Sequence, residues 1–149
     1  MAGYSGTPLV KKIGIKAGHA VTLVNAPAGF ERELVELPDG VKVNGASRGS
    51  LDVIICFVKD RAALEKGLRQ LPLKMATNGM LWLSWPKKAS GVATDLNENV
   101  VRDCGVAAGL VDIKVCAVNE VWSGLKFVIP VAKRADASKK LARAKGASK

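Results

Sequence analysis

The segment Pro86-Lys87-Lys88-Ala89-Ser90-Gly91, with Thr94 and Asp95 after it, carries the chain's best set of groups for holding an anion. Two ammonium groups, hydroxyls and the free N–H groups of a following helix suit a phosphate or a carboxylate. The segment follows the apolar run Met80–Trp85 and leads into a helical pattern, and open α/β sheets bind their ligands at the carboxyl ends of strands. Lys87, Lys88, Ser90, Gly91 and Thr94 are therefore the candidate anion-binding residues. Two features oppose this: Asp95 competes for the helix N–H groups, and paired lysines in a loop are equally explained by solvation. The loop Asn25-Ala26-Pro27-Ala28-Gly29 would stand at the same edge, with Asn25 and Gly29 as the opposite wall. Its Pro27 and Gly29 serve equally well as turn punctuation.

Other chemistry finds little support. A catalytic cysteine needs a basic partner, and the one histidine, His19, stands just before a strand pattern. Cys56 and Cys116 lie in apolar runs and Cys104 on a helical pattern, so all three read as structural thiols. No cluster of His, Cys and carboxylates has ligand spacing, which argues against a metal. There is no G-x-S-x-G, no Walker loop and no paired-carboxylate signature. No cofactor is evident: the first loop holds one glycine, and the second strand ends at Val43-Asn44-Gly45 without the acid that would hold a ribose.

Charge is unevenly spread. The net charge is +10, and from Lys133 onward seven basic residues (Lys133, Arg134, Lys139, Lys140, Arg143, Lys145 and Lys149) face the single acid Asp136. That segment carries +6 and leaves +4 for the body. With Leu141 as its one large apolar side chain it cannot offset the entropy of ordering, so residues 133–149 are expected to be a disordered tail. Such a tail suits non-specific, salt-sensitive association with nucleic acid, and its lack of aromatics argues against base stacking. A solubilising role explains it equally. One leucine gives almost no apolar face for a membrane surface.

The elements that must position these groups follow from apolar periodicity. Thr7 to Gly14 reads as a short helix with Thr7 as its cap and Pro8 at its first position. His19–Val24 is a strand, Phe30, Leu34 and Leu37 mark a second helix, and Val41–Val43 is a brief strand before a polar turn, 44–50. Leu51–Val58 and Met80–Trp85 read as strands covered on both faces. Between them Asp60–Leu73 forms a helix with Leu64, Leu68 and Leu71 inward. The longest helix spans Asp95–Ala108, capped by Asp95 with Glu98, with Leu96, Val100, Cys104 and Ala107 or Ala108 facing inward. Val111–Asn119 and Leu125–Val131 are joined too closely for a parallel crossover and form an antiparallel hairpin, on which Lys114 and Glu120 can pair. Trp82 and Trp85 are core candidates, and Trp122, beside a turn, is expected to be exposed.

Strands alternating with helices make this an α/β domain, residues 1–132, with a mostly parallel Rossmann-like sheet, helices on both faces and an antiparallel hairpin at its end. A domain of this length buries about 68–70% of its unfolded surface and needs no metal or disulfide staple. Absence of a signal-peptide pattern and of a membrane-length apolar run makes the cytoplasm the expected compartment. Oligomeric state is left open.

The element order resembles the core of class I methyltransferases, shortened by about one βα unit. A closer likeness lies in Tyr4–Leu9, Lys11–Ile15, Trp85–Gly91, Ala108–Asp112, Lys114–Val118 and Trp122–Leu125. These segments resemble a small bacterial family of Rossmann-like proteins, domain of unknown function 3052, across roughly residues 2–131. The resemblance implies a bacterial source and one compact domain, and carries no activity with it. Three functions follow as expectations. The first is a non-enzymatic binding module for an anionic small molecule or partner near Lys87, Lys88 and Ser90. The others are a nucleic-acid accessory protein acting through its tail, and a divergent transferase-like enzyme.

Overall fold

A computed structural model describes residues 7–44 and 50–133. Its core is a six-stranded sheet in the order β2-β1-β3-β4-β6-β5. The strands are β1 (Ala20–Val24), β2 (Lys42–Val43), β3 (Leu51–Phe57), β4 (Met75–Pro86), β5 (Val111–Ala117) and β6 (Trp122–Val128). The first four run parallel, while β6 is antiparallel to both β4 and β5. This is the mostly parallel α/β sheet with a terminal antiparallel pair that the periodicity predicts. Among the described residues no helix is long and apolar enough to cross a membrane.

Alternation along the strands divides the core in two. On one face Ile54, Cys56, Leu81, Leu83, Leu125 and Phe127 pack under α2 (Arg61–Gln70) and α3 (Glu98–Ala107). On the other, Val21, Ile55, Phe57, Trp82 and Trp122 lie under α1 (Leu9–Ile13) and a 3-10 turn, Phe30–Glu33. The β3 run is buried along nearly its whole length because helices cover it on both sides.

Several boundaries differ from expectation, each for a local reason. Pro8, not Thr7, sits at the cap of α1, and Gly14 ends that helix at φ 94°. The second expected helix is only the 3-10 turn Phe30–Glu33, which ends where Leu34 leaves helical backbone, with Phe30 and Leu34 both buried. Strand β4 begins at Met75 rather than Met80. Its pairing with β3 jumps from Leu51↔Met75 to Val53↔Met80, so Asn78-Gly79 lies in a strand irregularity. A Cβ on Gly79 would stand 2.8 Å from the Leu51 carbonyl oxygen, which explains glycine there.

Helix α3 starts at Glu98 because Asn97, not Asp95, caps it, accepting a 2.9 Å bond from the Val100 N–H. Its inward face is correspondingly rotated, with Val101 and Gly105 buried while Val100 and Cys104 are half-buried. Helix α2 ends at Gln70 and passes into a 3-10 turn, with Asp60 capping its start through a 2.8 Å bond from the Ala63 N–H. On the hairpin Lys114 stands opposite Lys126 rather than near Glu120. Lys133 closes a 3-10 turn, Val131–Lys133, while Arg134, Lys139, Lys140, Arg143, Lys145 and Lys149 lie outside the described residues.

Glycine has a different meaning in the two long helices. A Cβ on Gly105 would overlap the buried ring of Phe127, whereas on Gly67 it would meet Cys56 and Leu71 at an ordinary 3.6 Å. Gly105→Ala should destabilise by about 1–3 kcal/mol through overpacking. Gly67→Ala should be neutral or stabilising by about 0.5–1 kcal/mol through helix entropy. Urea unfolding of both variants checks the pair, and equal effects would contradict the packing described.

Candidate functional site

Chain order sets where a ligand crevice can open. The path runs outward from β1 to β2 and then returns to place β3 on the other side of β1. That reversal puts the crevice at the carboxyl ends of β1 and β3. The loop after β4, with Lys87, Lys88 and Ser90, is one strand further along.

Aromatic side chains pack at this edge. After β1, Asn25 (φ 57°) and Gly29 (φ 80°) both take left-handed backbone, and the chain enters the 3-10 turn instead of a helix. No helix N-terminus therefore faces the crevice from this loop. Phe30 is buried there, edge-on to Phe57 at the end of β3, with ring centroids 4.7 Å apart. Trp122, at the start of β6, closes on Phe57 at 5.0 Å and 89°. Trp122 is 7% exposed, which corrects the expected exposed position: Trp122 is the first residue of β6, opposite Pro86, not part of an open turn. Asn119 ties the top of this cluster together. Its amide donates to the Glu33 carboxylate at 3.1 Å, and its carbonyl oxygen accepts from the Val121 and Trp122 N–H groups at 2.9 Å.

The position where a ribose-binding acid would stand is also engaged. Asn44 follows β2 in left-handed backbone, and its side-chain oxygen accepts a 2.8 Å bond from the Leu23 N–H. The amide clasps β1 and β2 together rather than facing the crevice.

The loop after β4 is knitted into its neighbours. The Lys87 N–H donates to the Val121 carbonyl at 2.7 Å. The Ser90 hydroxyl donates to the Lys87 carbonyl at 2.6 Å and accepts from the Val92 N–H at 3.2 Å. Thr94 donates to the Lys59 carbonyl at 2.6 Å and accepts from the Leu96 N–H. Asp95, expected to cap α3, instead accepts a 3.0 Å bond from the Arg61 N–H at the start of α2. Both hydroxyls of the candidate set thus shape the loop.

What the loop still presents is charge and space. Lys88 is exposed and Lys87 half-buried, and Lys59, on the adjoining loop after β3, is exposed. None of the three forms an ion pair among the described residues. Gly91, at φ 76°, has open space where a Cβ would stand. Asn25 and Gly29 lie at the same edge, separated from Lys87 and Lys88 by the end of β3.

Two further features escaped the sequence. The Ser84 hydroxyl, on β4 between Phe57 and Gly124, is fully buried without a hydrogen-bond partner. A groove of about 510 Å³ runs between α2 and α3, lined by Arg61, Glu65, Arg69, Asp103 and Cys104 among others. Neither lies in a motif; both arise from tertiary pairing. Among the described residues no group of three His, Cys, Asp or Glu side chains converges. Burial pushes the Cys56 thiol up from 9.0 to about 11, opposite to the change that would make it a nucleophile.

No family model matches the chain, and no curated protein matches its sequence. Solved structures do share its fold. A possible exported protein from Bordetella parapertussis aligns with a TM-score of 0.60 at 12% identity, over 82% of this chain and 65% of that one. This chain thus spans just under two thirds of that protein. Aeropyrum pernix fibrillarin, in complex with natively bound S-adenosyl-L-methionine, gives 0.57 at 11% identity over 85% and 70% of the two chains. The ribosomal protein L11 methylase of Lactobacillus delbrueckii subsp. bulgaricus gives 0.57 at 12% identity over 81% and 74%. The chain shares the Rossmann-like fold of these structures.

Two measurements test the packing at this edge. Trp122→Ala should cost about 3–5 kcal/mol in urea unfolding, as expected for a buried ring packed edge-on against Phe57. A loss below about 1 kcal/mol would mean that Trp122 is not packed as described. The raised Cys56 thiol disfavours its thiolate in the folded state. Its stabilising contribution is present below pH 9 and lost as pH rises towards 11. The difference in stability between the protein and its Cys56→Ala variant should shrink by roughly 2–3 kcal/mol across that window. A constant difference would contradict the assignment.

Proposed function

We propose that the protein is a non-enzymatic binding module that takes an anionic small molecule or partner at the carboxyl edge of its sheet. The observation that carries this reading is the Phe30–Phe57–Trp122 cluster, which packs at the carboxyl ends of β1 and β3, where this class of sheet receives its ligand. Asn44, spent on the Leu23 N–H, adds to it. Beside this cluster the edge presents cationic groups, Lys87 and Lys88 joined by Lys59, next to the open backbone at Gly91. Ser90 and Thr94 act by holding the loop in shape. Two segments that carry the resemblance to the bacterial family, Trp85–Gly91 and Trp122–Leu125, meet at this edge, with Pro86 paired to Trp122.

A divergent transferase is the second reading. It is favoured by the fold shared with a protein solved holding S-adenosyl-L-methionine and by the unpartnered Ser84 hydroxyl beside Phe57. An outward swing of the aromatic cluster would expose that hydroxyl at the floor of a slot.

Thermal unfolding of the full chain with pyrophosphate, citrate, S-adenosylmethionine and S-adenosylhomocysteine separates the two. A ligand at about 100 times its Kd adds about 2.7 kcal/mol. The binding-module reading expects stabilisation by pyrophosphate or citrate, abolished in Lys87→Ala/Lys88→Ala, and none by the adenosyl compounds. Stabilisation by either adenosyl compound would overturn it in favour of the transferase.

A further inference from the structure

The two faces of the β5–β6 hairpin differ in a way the fold alone does not require. One is packed beneath α3. The other carries a row of residues fixed by register: Ile55, Trp82, Lys126 and Lys114 are successive partners across β3, β4, β6 and β5. Paired residues on neighbouring strands share a face, so Lys126 and Lys114 stand side by side next to Trp82. The Trp82 indole donates to the Ile13 carbonyl at 3.0 Å, which pins the end of α1 over β4. Lys16 follows three residues later, its N–H held by His19 Nδ1 at 3.0 Å.

The charges of Lys114 and Lys16 both reach Lys126. The Lys126 ammonium is held below its ordinary value, first by burial and then by the charges of Lys114 and Lys16. Neighbouring Cys116 feels Lys114 and Lys12 as well, although burial dominates and raises its thiol. Directly opposed like charges destabilise a sheet. Among the described residues none of Lys16, Lys114 and Lys126 has an acidic partner. Asp112, two residues from Lys114, is bound by Arg102 at 3.0 Å.

We propose that Lys16, Lys114 and Lys126 form a docking strip for the phosphodiester backbone of a nucleic acid, on the α1 face of the β5–β6 hairpin. Charge complementarity names the occupant: lysines on neighbouring strands meet a chain of regularly spaced phosphates, and the whole molecule carries +10. Every phenylalanine and tryptophan ring is buried, so the strip grips phosphates and leaves bases unread.

The test is binding of a fluorescently labelled, mixed-sequence 20-bp duplex to the full chain, followed by anisotropy across a salt series. Each lost phosphate contact lowers the slope of log K against log salt by about 0.9. Lys114→Gln/Lys126→Gln should therefore lower it by about 2, and Lys16→Gln, on a separate segment, by about 1. Removing a like-charge neighbour should at the same time raise the Tm of Lys114→Gln, so lost binding is not lost folding. Lys87→Ala/Lys88→Ala should keep the parental slope, which separates this strip from the carboxyl-edge site. The proposal is overturned by any of three results. One is no duplex binding at low salt. Another is an unchanged slope in the strip variants while neutralising Lys139, Lys140, Arg143 and Lys145 abolishes binding. The third is binding of poly-glutamate through the strip with no binding of the duplex.

Discussion

The antiparallel register between β4 and β6 fixes which residues of the carboxyl edge meet. It sets Trp122 against Pro86, Gly124 against Ser84 and Lys126 against Trp82. A shift of one residue would turn every β6 side chain to the opposite face. Trp122 would leave Phe57, and Leu125 and Phe127 would leave the core under α2 and α3. Gly124 is what allows the observed register to be so close. A Cβ there would stand 3.0 Å from Val118 and 3.1 Å from Trp82. Both the closed crevice and the lysine row descend from this single pairing.

Closure of the crevice is a substitution of one kind of stability for another. A nucleotide-binding turn keeps glycines so that backbone can approach a pyrophosphate, and a helix starts there to face it. Here the same stretch of chain spends its residues on burying Phe30, and the 3-10 turn that results is too short to build a helix dipole. The Asn119–Glu33 contact then links β6's approach loop to this turn across 86 residues of sequence. At the carboxyl end of β3 this part of the edge has become core, with Phe30, Phe57 and Trp122 buried together.

Much of the scaffold was legible because it depends on local patterns. The long apolar runs of β3 and β4, the Leu64–Leu68–Leu71 stripe and the close link between β5 and β6 each encode their element within a few residues. What failed depended on competition between neighbours. Asp95 satisfies every local rule for a helix cap, yet Asn97 takes that role and Asp95 bonds the start of α2. Trp122 beside Ser123-Gly124 looks like turn residue and is core, because β6 begins there. At the candidate site, sequence placed Lys87, Lys88 and Ser90 after the carboxyl end of β4, where the structure also has them. It had no means of showing that Ser90 and Thr94 would turn inward or that Phe30, Phe57 and Trp122 would meet, since those contacts join segments far apart in the chain.

The lysine row invites a simpler explanation, protection of a sheet edge. Strand β5 is an edge strand, with Val111, Ile113 and Val115 between 39% and 50% exposed, and a lysine on such a strand blunts pairing with other chains. That accounts for Lys114. It does not account for Lys126, which lies on β6, one strand in from the edge and hydrogen-bonded on both sides. A charge there protects nothing from pairing and sits directly opposite another of the same sign. Nor does packing need it, because the residues flanking it on the same face, Gly124 and Val128, are uncharged. Among the described residues this half-buried ammonium has no acid beside it and stands next to Lys114, an arrangement that edge protection does not explain.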